Sequence, residues 1–306
     1  MPYHLPMAVL NSYHEAMFVP TWPEFAPISL EMRDSLYPSL NELPDGISEF
    51  TFSNLFLFRA TYGYRLSRHP KGALIVEGAK LGKSFFYVPG LLPPDEVLAE
   101  LMGRNDYLKN LSESQLRTEG ERLASKGWLI AEDRDNFDYY YGKKDLAELL
   151  GKTYHKKRNL VNAFNGAYVC ESRPLTPERV GDALAVLLEW ATLKGEPGDV
   201  IASTEALERF ETLGMSGSVY YVAGKPVGWC LGEPVAKGTM FAIHFEKGID
   251  HYKGVYQYIN QEFARGLPES FTFINREQDL GDEGLRQAKE TYRPLGFVKK
   301  YRVTRA

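Results

Sequence analysis

The sequence predicts an α+β protein built from mixed, mostly antiparallel sheets flanked by helices. The second half shows the pattern most clearly. There the spacing of apolar residues alternates between that of helices and that of strands. The predicted order is helix, three meandering strands, helix, strand, helix, strand. The first half has a looser version of this order, without a repeat in residue identity. With 306 residues, the chain can form one large domain or two of medium size, and two are favoured.

The composition is that of an ordinary globular protein, with 44% hydrophobic and 25% charged residues. A net charge of −4 argues against bulk nucleic-acid binding but leaves room for one local basic site. The two isolated cysteines, Cys170 and Cys230, form no disulfide framework, which favours a reducing cytoplasm. The first residues lack the features of a signal peptide, and no run of about 18 apolar residues predicts a membrane span.

The first half begins with an arm rich in proline and aromatic residues, followed by helices and strands. Thr51 or Ser53 can cap a helix that Gly63 ends, and Ser112 with Gln115 has the pattern of a capping box. The predicted helices are Leu30–Leu36, Ser53–Tyr62, Pro93–Met102, Ser112–Lys126 and Leu146–Phe164, the last bent at Gly151. The predicted strands are Ala73–Gly78, Ser84–Val88, Trp128–Ala131 and Phe137–Tyr141.

The second half is predicted to begin after Asn165-Gly166, a pair that breaks the preceding helix. Thr176 can cap the next helix, which has Pro177 at its first position and ends at Gly195. The strands predicted beyond it are Ser218–Ala223, Pro226–Leu231, Gly238–Glu246, Phe271–Asn275 and Phe297–Val303. The helices predicted among them carry Tyr252 to Phe263 and Glu283 to Tyr292.

Four stretches of the chain resemble the family named after the C-terminal domain of phosphatidylglycerol lysyltransferase. They are FTFSNLFLFR (Phe50–Arg59), YHKKRNLVNAF (Tyr154–Phe164), FEKGIDHYKGVYQYINQEF (Phe245–Phe263) and INREQDLGDEGLRQAKETYRP (Ile274–Pro294). The element order of the second half is also that of the GNAT-type acyltransferase fold. The resemblance implies two GNAT-like domains in tandem, as in aminoacyl-tRNA-dependent transferases. We expect an N-terminal arm (1–48), a first domain with a linker helix (49–165) and a second domain with the active site (166–306).

The loop before the helix that starts near Tyr252 departs from the pattern of acetyl-CoA users of this fold. Those enzymes carry a Gln/Arg-x-x-Gly-x-Gly/Ala loop that binds pyrophosphate through backbone N–H groups. Here only Gly254 matches, and the bulky Tyr252 and Tyr256 stand nearby. Because a backbone cradle needs small residues, the departure disfavours CoA and suits aminoacyl-tRNA. Substrate contacts are predicted for Tyr252, Lys253, Gly254 and Tyr256.

Glu246 ends a predicted strand, two residues after His244 on the same face. A carboxylate in this position can take the proton that an amine loses when it attacks a carbonyl group. The alternative is a salt bridge of Glu246 with Lys247, Lys253 or Arg276. His244 is predicted to contact the substrate beside this carboxylate.

Five polar residues, Asn275 to Asp279, directly follow an apolar strand. Side chains at the end of a central strand face the cleft of an open sheet, although a solvated loop is the ordinary alternative. Asn275 can donate to an oxyanion, and Arg276 can hold a carboxylate or phosphate with two parallel bonds. Glu277 and Asp279 can bind the α-amine of an aminoacyl donor. Catalytic roles are therefore predicted for Asn275 and Arg276 together with Glu246.

Two sets of basic residues are further candidates for binding an anion. Arg286 and Lys289 follow the polar run at near-helical spacing, where a solvated helix face is the alternative to phosphate binding. Lys157 shares a helix face with the apolar Val161 and Phe164, so it can face the protein interior and bind a phosphate or the tRNA backbone. The alternative is that the helix has a solvent-exposed basic side and that Lys157 pairs with a nearby carboxylate. The full second set is His155, Lys156, Lys157 and Arg158.

These features together predict a transferase that moves an acyl group, in the first place an aminoacyl group, onto an amine or hydroxyl of a small-molecule, peptide or lipid acceptor. The donor would be aminoacyl-tRNA or acyl-CoA, attacked directly and without a further cofactor. The six histidines show no metal-ligand spacing, so no metal is expected. The alternatives are an acyl-CoA-dependent N-acyltransferase with an atypical loop and a non-catalytic ligand-binding protein of the same fold.

Overall fold

The computed structural model describes residues 19–194 and 199–306. The chain divides into two compact units. The first unit runs to Arg134 and includes Lys299–Ala306, whereas the second unit is Asp135–Val298. Each unit contains one seven-stranded sheet with helices packed beside it. The predicted α+β class is therefore confirmed.

The sheet of the first unit is mixed but mostly antiparallel. Its strands are β1 (Ala26–Pro27), β2 (Arg65–Arg68), β3 (Leu74–Lys80), β4 (Lys83–Tyr87), β5 (Tyr107–Ser112), β6 (Trp128–Glu132) and, from the C-terminal end of the chain, β14 (Lys300–Arg305). They lie in the order β1-β2-β3-β4-β5-β14-β6. Among the described pairs of this sheet, only β4 and β5 run parallel, with Phe86 opposite Leu108.

The helices of the first unit are α1 (Arg33–Asn41), α2 (Phe52–Leu57), α3 (Arg59–Tyr62), α4 (Asp95–Arg104) and α5 (Glu113–Ala124). Two of them, α2 and α5, begin at a predicted cap. The Thr51 side chain accepts from the Asn54 backbone N–H at 3.1 Å, and Ser112 and Gln115 form the reciprocal capping box. The helix predicted from Ser53 is interrupted at the junction of α2 and α3.

The predicted N-terminal arm belongs to the first unit wherever the structure describes it. Strand β1 pairs with β2, and Met32 and Leu36 are buried. The part of the arm before residue 19 lies outside the described residues.

The sheet of the second unit has the same mixed character. Its strands are β7 (Asp138–Gly142), β8 (Cys170–Pro174), β9 (Ser216–Val222), β10 (Lys225–Val235), β11 (Met240–Gly248), β12 (Phe273–Asn275) and β13 (Gly296–Val298). They lie in the order β13-β7-β12-β11-β10-β9-β8. Strands β11 and β12 are parallel, from Met240 opposite Phe273 to Ala242 opposite Asn275. This parallel pair positions the candidate site.

Two helices of the second unit, α7 and α10, share a core cluster with the sheet. The helices are α6 (Lys143–Glu148), α7 (His155–Ala167), α8 (Val180–Lys194), α9 (Val200–Leu213), α10 (Val255–Gly266) and α11 (Glu283–Glu290). Phe164 of α7 and Ile259 of α10 are both fully buried in this cluster. Gly254, with φ +92°, precedes α10, and a Cβ on it would lie 2.5 Å from the Leu160 carbonyl oxygen. A glycine there lets α10 begin against α7.

The observed division into compact units lies at a different place from the predicted domain boundary between residues 165 and 166. Strand β7 pairs with β12 and β13, so the chain from Asp135 onward belongs to the second unit. The predicted strand Phe297–Val303 is two strands, because β13 pairs with β7 while β14 lies between β5 and β6. Lys300 of β14 is fully buried, and its ammonium pairs with the Glu49 carboxylate. Strand periodicity carries no information about this exchange of partners.

Three helix predictions also differ from the structure. The helix predicted over Leu146–Phe164 is two helices, α6 and α7, because the chain turns at Gly151 (φ +78°). Helix α7 continues through Asn165-Gly166 to Ala167, so this pair does not break it. Helix α9 was not predicted. The predicted stop at Gly195 lies outside the described residues.

Candidate functional site

The parallel strands of the second sheet separate beyond their last paired residues, Ala242 and Asn275. Strand β11 continues to Gly248, and Glu246 lies on this continuing part, whereas Arg276 directly follows β12. The Nη2 atom of Arg276 donates to Oε1 and Oε2 of Glu246 at 3.1 and 3.3 Å. An ion pair therefore spans the gap where the two strands part.

Asn260 of α10 holds the other side of the Arg276 guanidinium. The Asn260 amide oxygen, turned toward Arg276, accepts from Nε at 3.3 Å and from Nη1 at 3.1 Å. The side chains of Arg276 and Glu246 are only 17% and 11% exposed. The salt bridge named as the alternative role of Glu246 is thus present with Arg276, and its role as a base stays a prediction.

Tyr292, just beyond α11, contacts two cations with its ring. The ring centroid lies 5.2 Å from Cζ of Arg276 and 4.1 Å from Nζ of Lys157. Burial raises the pKa of Tyr292 well above its ordinary value. The phenol therefore stays protonated at neutral pH and can donate a proton.

Lys157 of α7 is half-buried and has an unusual set of neighbours. Within 19–194 and 199–306, no carboxylate lies within ion-pair distance of its ammonium nitrogen. Burial, together with the positive charge of Arg276, lowers the pKa of Lys157 to about 8. The local carboxylate partner that was the alternative for this residue is absent from the described part of the chain.

The other three basic residues predicted around Lys157 have different surroundings. Arg158 donates to the carbonyl oxygens of Leu149 and Gly151, which closes the turn before α7. His155 and Lys156 are exposed at the start of the helix. The structure therefore brings Lys157, but not Arg158, to the Arg276 ion pair.

Asn275 and Lys289 orient the loop that carries Arg276. Asn275 is fully buried, and its Nδ2 donates to Asp138 at 3.1 Å while its Oδ1 accepts from the Glu277 backbone N–H at 2.7 Å. The Lys289 ammonium donates to the main-chain oxygens of Arg276 and Glu277 at 2.7 and 3.0 Å. Both groups thus bond within the fold, and the predicted oxyanion role of Asn275 and ligand role of Lys289 stay predictions.

Asp279 and Arg286 form a second ion pair in the same loop. The Asp279 carboxylate accepts from the Tyr139 hydroxyl at 2.6 Å and from Nε and Nη2 of Arg286 at 2.9 Å. Arg286 also pairs with Asp135 at 2.7 Å. Against the effect of burial, these hydrogen bonds hold the pKa of Asp279 well below its usual range. The pair ties α11 to the sheet, and the substrate contacts predicted for Asp279 and Arg286 stay predictions.

His244 lies buried between two glutamates. Its Nδ1 is 2.7 Å from Oε1 of Glu277, and its Nε2 is 3.0 Å from Oε1 of Glu233. Although burial opposes the charged form, the two carboxylates raise the pKa of His244 to about 10. Glu277 has a left-handed backbone with φ +56°, a conformation that needs support from its surroundings. The bond between His244 and Glu277 supports this loop, and their predicted contacts with substrate stay predictions.

Stability should depend on pH through His244. Because its pKa rises from about 6.5 in the unfolded chain to about 10 when folded, its stabilisation is complete below about pH 6.5, decreases above that and is lost beyond about pH 10. We expect the free energy of unfolding to fall by up to about 1.4 kcal/mol per pH unit in that window, measured by urea unfolding. His244→Gln should remove this dependence, whereas His251→Gln, at an exposed histidine, should keep it. Equal slopes in all three proteins would contradict the assignment.

The residues predicted at the start of α10 are used mainly in packing. Tyr252 packs against the ring of Tyr168, with the centroids 5.1 Å apart. The Tyr256 hydroxyl donates to a main-chain carbonyl of β11 at 3.0 Å and accepts from Nε1 of Trp190 at 3.1 Å. Lys253 is exposed. Both tyrosines fill the place where a phosphate cradle would need small side chains.

Four residues of this region were not singled out from the sequence. They are Glu233, Gln257, Asn260 and Tyr292. The sequence offered an indication for two of them. Gln257 and Asn260 are polar residues spaced three apart within the apolar stripe of the predicted helix. Asn260 is 1% exposed, and a buried amide needs a partner. No local pattern distinguishes Glu233 or Tyr292.

Comparisons with known proteins agree with this architecture. The family model of the phosphatidylglycerol lysyltransferase C-terminal region matches residues 40–304. A conserved protein of unknown function from Bacteroides thetaiotaomicron is 30% identical, with a TM-score of 0.83 over 92% of this chain and 99% of the other. L-PGS from Bacillus licheniformis is 15% identical, with a TM-score of 0.59 over 94% of each chain. The C-terminal domain of a candidate lysylphosphatidylglycerol synthetase from Agrobacterium fabrum is 12% identical, with a TM-score of 0.59 over 88% of this chain and 92% of the other.

These likenesses confirm the predicted resemblance to phosphatidylglycerol lysyltransferase C-terminal domains and the predicted α+β fold. None of the helices in the described part of the chain combines the length and apolar character that a membrane span requires. Within the same residues, no cluster of histidine, cysteine, aspartate and glutamate is arranged to hold a metal ion.

Proposed function

Because the chain belongs to the family of phosphatidylglycerol lysyltransferase C-terminal domains, we propose that its second unit transfers an aminoacyl group from aminoacyl-tRNA to an amine or hydroxyl acceptor. One observation carries the proposal. Lys157, Glu246, Arg276 and Tyr292 come together where β11 and β12 part. The site thus combines fixed positive charge with a protonated hydroxyl, which suits the breakdown of an ester.

The chemistry needs no covalent intermediate on the protein. The acceptor attacks the ester carbonyl, and the negative charge that develops on the carbonyl oxygen is stabilised by the fixed Arg276 guanidinium nearby. The Tyr292 hydroxyl gives its proton to the leaving ribose oxygen as the ester bond breaks. Glu246 and Asn260 hold Arg276 in place, so little reorganisation is needed during the reaction.

The start of α10 favours an ester donor over CoA. Gly254 is the only residue there that matches the CoA loop, and its open side faces the Leu160 carbonyl oxygen of α7. Pyrophosphate binding requires several backbone N–H groups accessible at a helix start. With Tyr252 and Tyr256 packed beside Gly254, that requirement is poorly met.

The proposal is tested by a transfer assay. Purified protein is incubated with tRNAs charged with labelled amino acids and with a panel of amines, hydroxyl compounds and phosphatidylglycerol vesicles. We expect label to move to one acceptor class, and the charge-neutral double variant Arg276→Met/Glu246→Gln to be inactive. Transfer of an acyl group from acetyl-CoA, without transfer from any charged tRNA, would show that the donor is an acyl-CoA. Binding of a ligand without transfer from any donor would instead identify a non-catalytic binding protein.

A further inference from the structure

We propose that Lys157 is the general base of the transfer reaction, the group that takes the proton from the attacking amine or hydroxyl. The inference rests on the proposed function and assigns the proton acceptor that this chemistry requires. It places that role on helix α7 rather than on Glu246 of the sheet.

Lys157 reaches the site without an anionic partner. Its Nζ lies 4.1 Å from the Tyr292 ring centroid, a cation–π contact that by itself favours the ammonium form. Against this, the described residues place no carboxylate within ion-pair distance of it. A typical lysine on the same helix side would have such a partner or full exposure to water, either of which stabilises the ammonium form. Lys157 has neither, because its side chain is half-buried against the site.

One charged group near Lys157 disfavours its ammonium form. This group is Arg276, which directly follows β12, and Glu246 on β11 is paired with it. Tyr292 beyond α11 contributes a ring and a protonated hydroxyl. On α7 itself, the flanking Lys156 and Arg158 are also basic. The pKa of Lys157, lowered to about 8, supports this interpretation, since an appreciable fraction is then neutral near pH 7.5.

Glu246 is less suited to accept the proton. Both of its carboxylate oxygens accept from Nη2 of Arg276, and its side chain is only 11% exposed. The guanidinium occupies one lone pair on each oxygen, which leaves less of the carboxylate open to an incoming amine. Glu246 acts instead as a positioning residue for Arg276.

The proton balance of the reaction closes with Lys157 and Tyr292 as a pair. The acceptor N–H or O–H bond breaks, its proton moves to Lys157 Nζ, and its electron pair forms the new bond to the acyl carbon. The ester C–O bond breaks, and the leaving ribose oxygen takes the proton of Tyr292. Lys157 is then an ammonium and Tyr292 a phenolate. The distance between Nζ of Lys157 and the Tyr292 ring centroid is 4.1 Å. A proton returned from Lys157 to Tyr292 restores both groups.

The first experiment measures Lys157 without any substrate. The folded protein is labelled competitively with acetic anhydride between about pH 6 and pH 10.5, and each lysine is followed by peptide mass spectrometry. We expect Lys157 to reach half of its full reactivity near pH 8. Lys152, exposed in the turn before α7, serves as the internal reference. If Lys157 titrates together with Lys152, the proposal is overturned.

The second experiment uses the transfer assay. Lys157→Arg keeps the positive charge but releases no proton near neutral pH, so we expect kcat/KM to fall about 10²-fold and its rise through pH 8 to vanish. Lys152→Arg is the matched control and should keep the wild-type profile. A Lys157→Arg protein that keeps both the rate and the pH profile disproves the base role. If wild-type protein transfers nothing while Lys157 labels near pH 8, the proposed function fails and the base role fails with it. If the wild-type protein transfers the aminoacyl group but Lys157 is labelled with the same pH dependence as Lys152, only the base role is rejected.

Discussion

Replacing Arg276 by methionine is expected to lower the free energy of unfolding by about 3–5 kcal/mol, because it leaves the Glu246 carboxylate without its cation in a site that is 11% exposed. The same change should abolish transfer, since the fixed positive charge at the split of β11 and β12 is gone. Stability is measured by urea unfolding followed by circular dichroism.

Two controls separate the ion pair from a general effect of removing an arginine. The double variant Arg276→Met/Glu246→Gln carries no unpaired charge and should recover much of the lost stability without recovering activity. Arg293→Met, at an exposed position beyond α11, should leave stability within about 0.5 kcal/mol of the wild type. An Arg276→Met protein as stable as the Arg293→Met protein would show that the pair is not buried in solution.

Replacing Tyr292 by phenylalanine is expected to reduce kcat/KM for transfer by about 10²–10⁴-fold, because the leaving oxygen loses its proton donor. The ring and its contacts with Lys157 and Arg276 remain, so the free energy of unfolding should change by only about 1 kcal/mol. The effect should appear mainly in kcat, since the hydroxyl acts as the bond breaks rather than in binding the donor.

Tyr258→Phe provides the matched control for removing a tyrosine hydroxyl. Tyr258 lies on α10 and donates to the Cys170 carbonyl oxygen at 3.2 Å, away from the Arg276 ion pair. Its loss should affect stability to a similar extent and leave transfer unchanged. If Tyr292→Phe and Tyr258→Phe have equal activity, Tyr292 does not act as the acid.

The helix caps show how far local sequence reaches. Thr51 and the Ser112–Gln115 box form the predicted bonds because a cap joins residues three positions apart. The ends of strands were placed less well, as with Phe297–Val303, where neighbouring residues pair in different sheets. Pairing depends on partners far along the chain, which periodicity does not record.

The polar run after β12 was predicted to lie at the site, and most of its side chains bond within the fold. Asn275 and Asp279 bond to side chains of β7, and Glu277 bonds to His244 of β11. Their engagement reflects burial, because polar groups removed from water must find partners within the protein. Which polar residues become buried is decided by packing.

The sequence by itself determined the α+β class, the order of most elements, the family and the stretch from Glu246 to Arg276 as a place where polar groups collect. These features depend on periodicity, capping and motifs, all of which act between near neighbours in the chain. Only the tertiary structure decided that Lys157 and Tyr292 meet at 4.1 Å, and that Arg276 pairs with Glu246. Such contacts bring together groups from separate elements, and their pKa values respond to burial and to charges that become neighbours only when the chain folds.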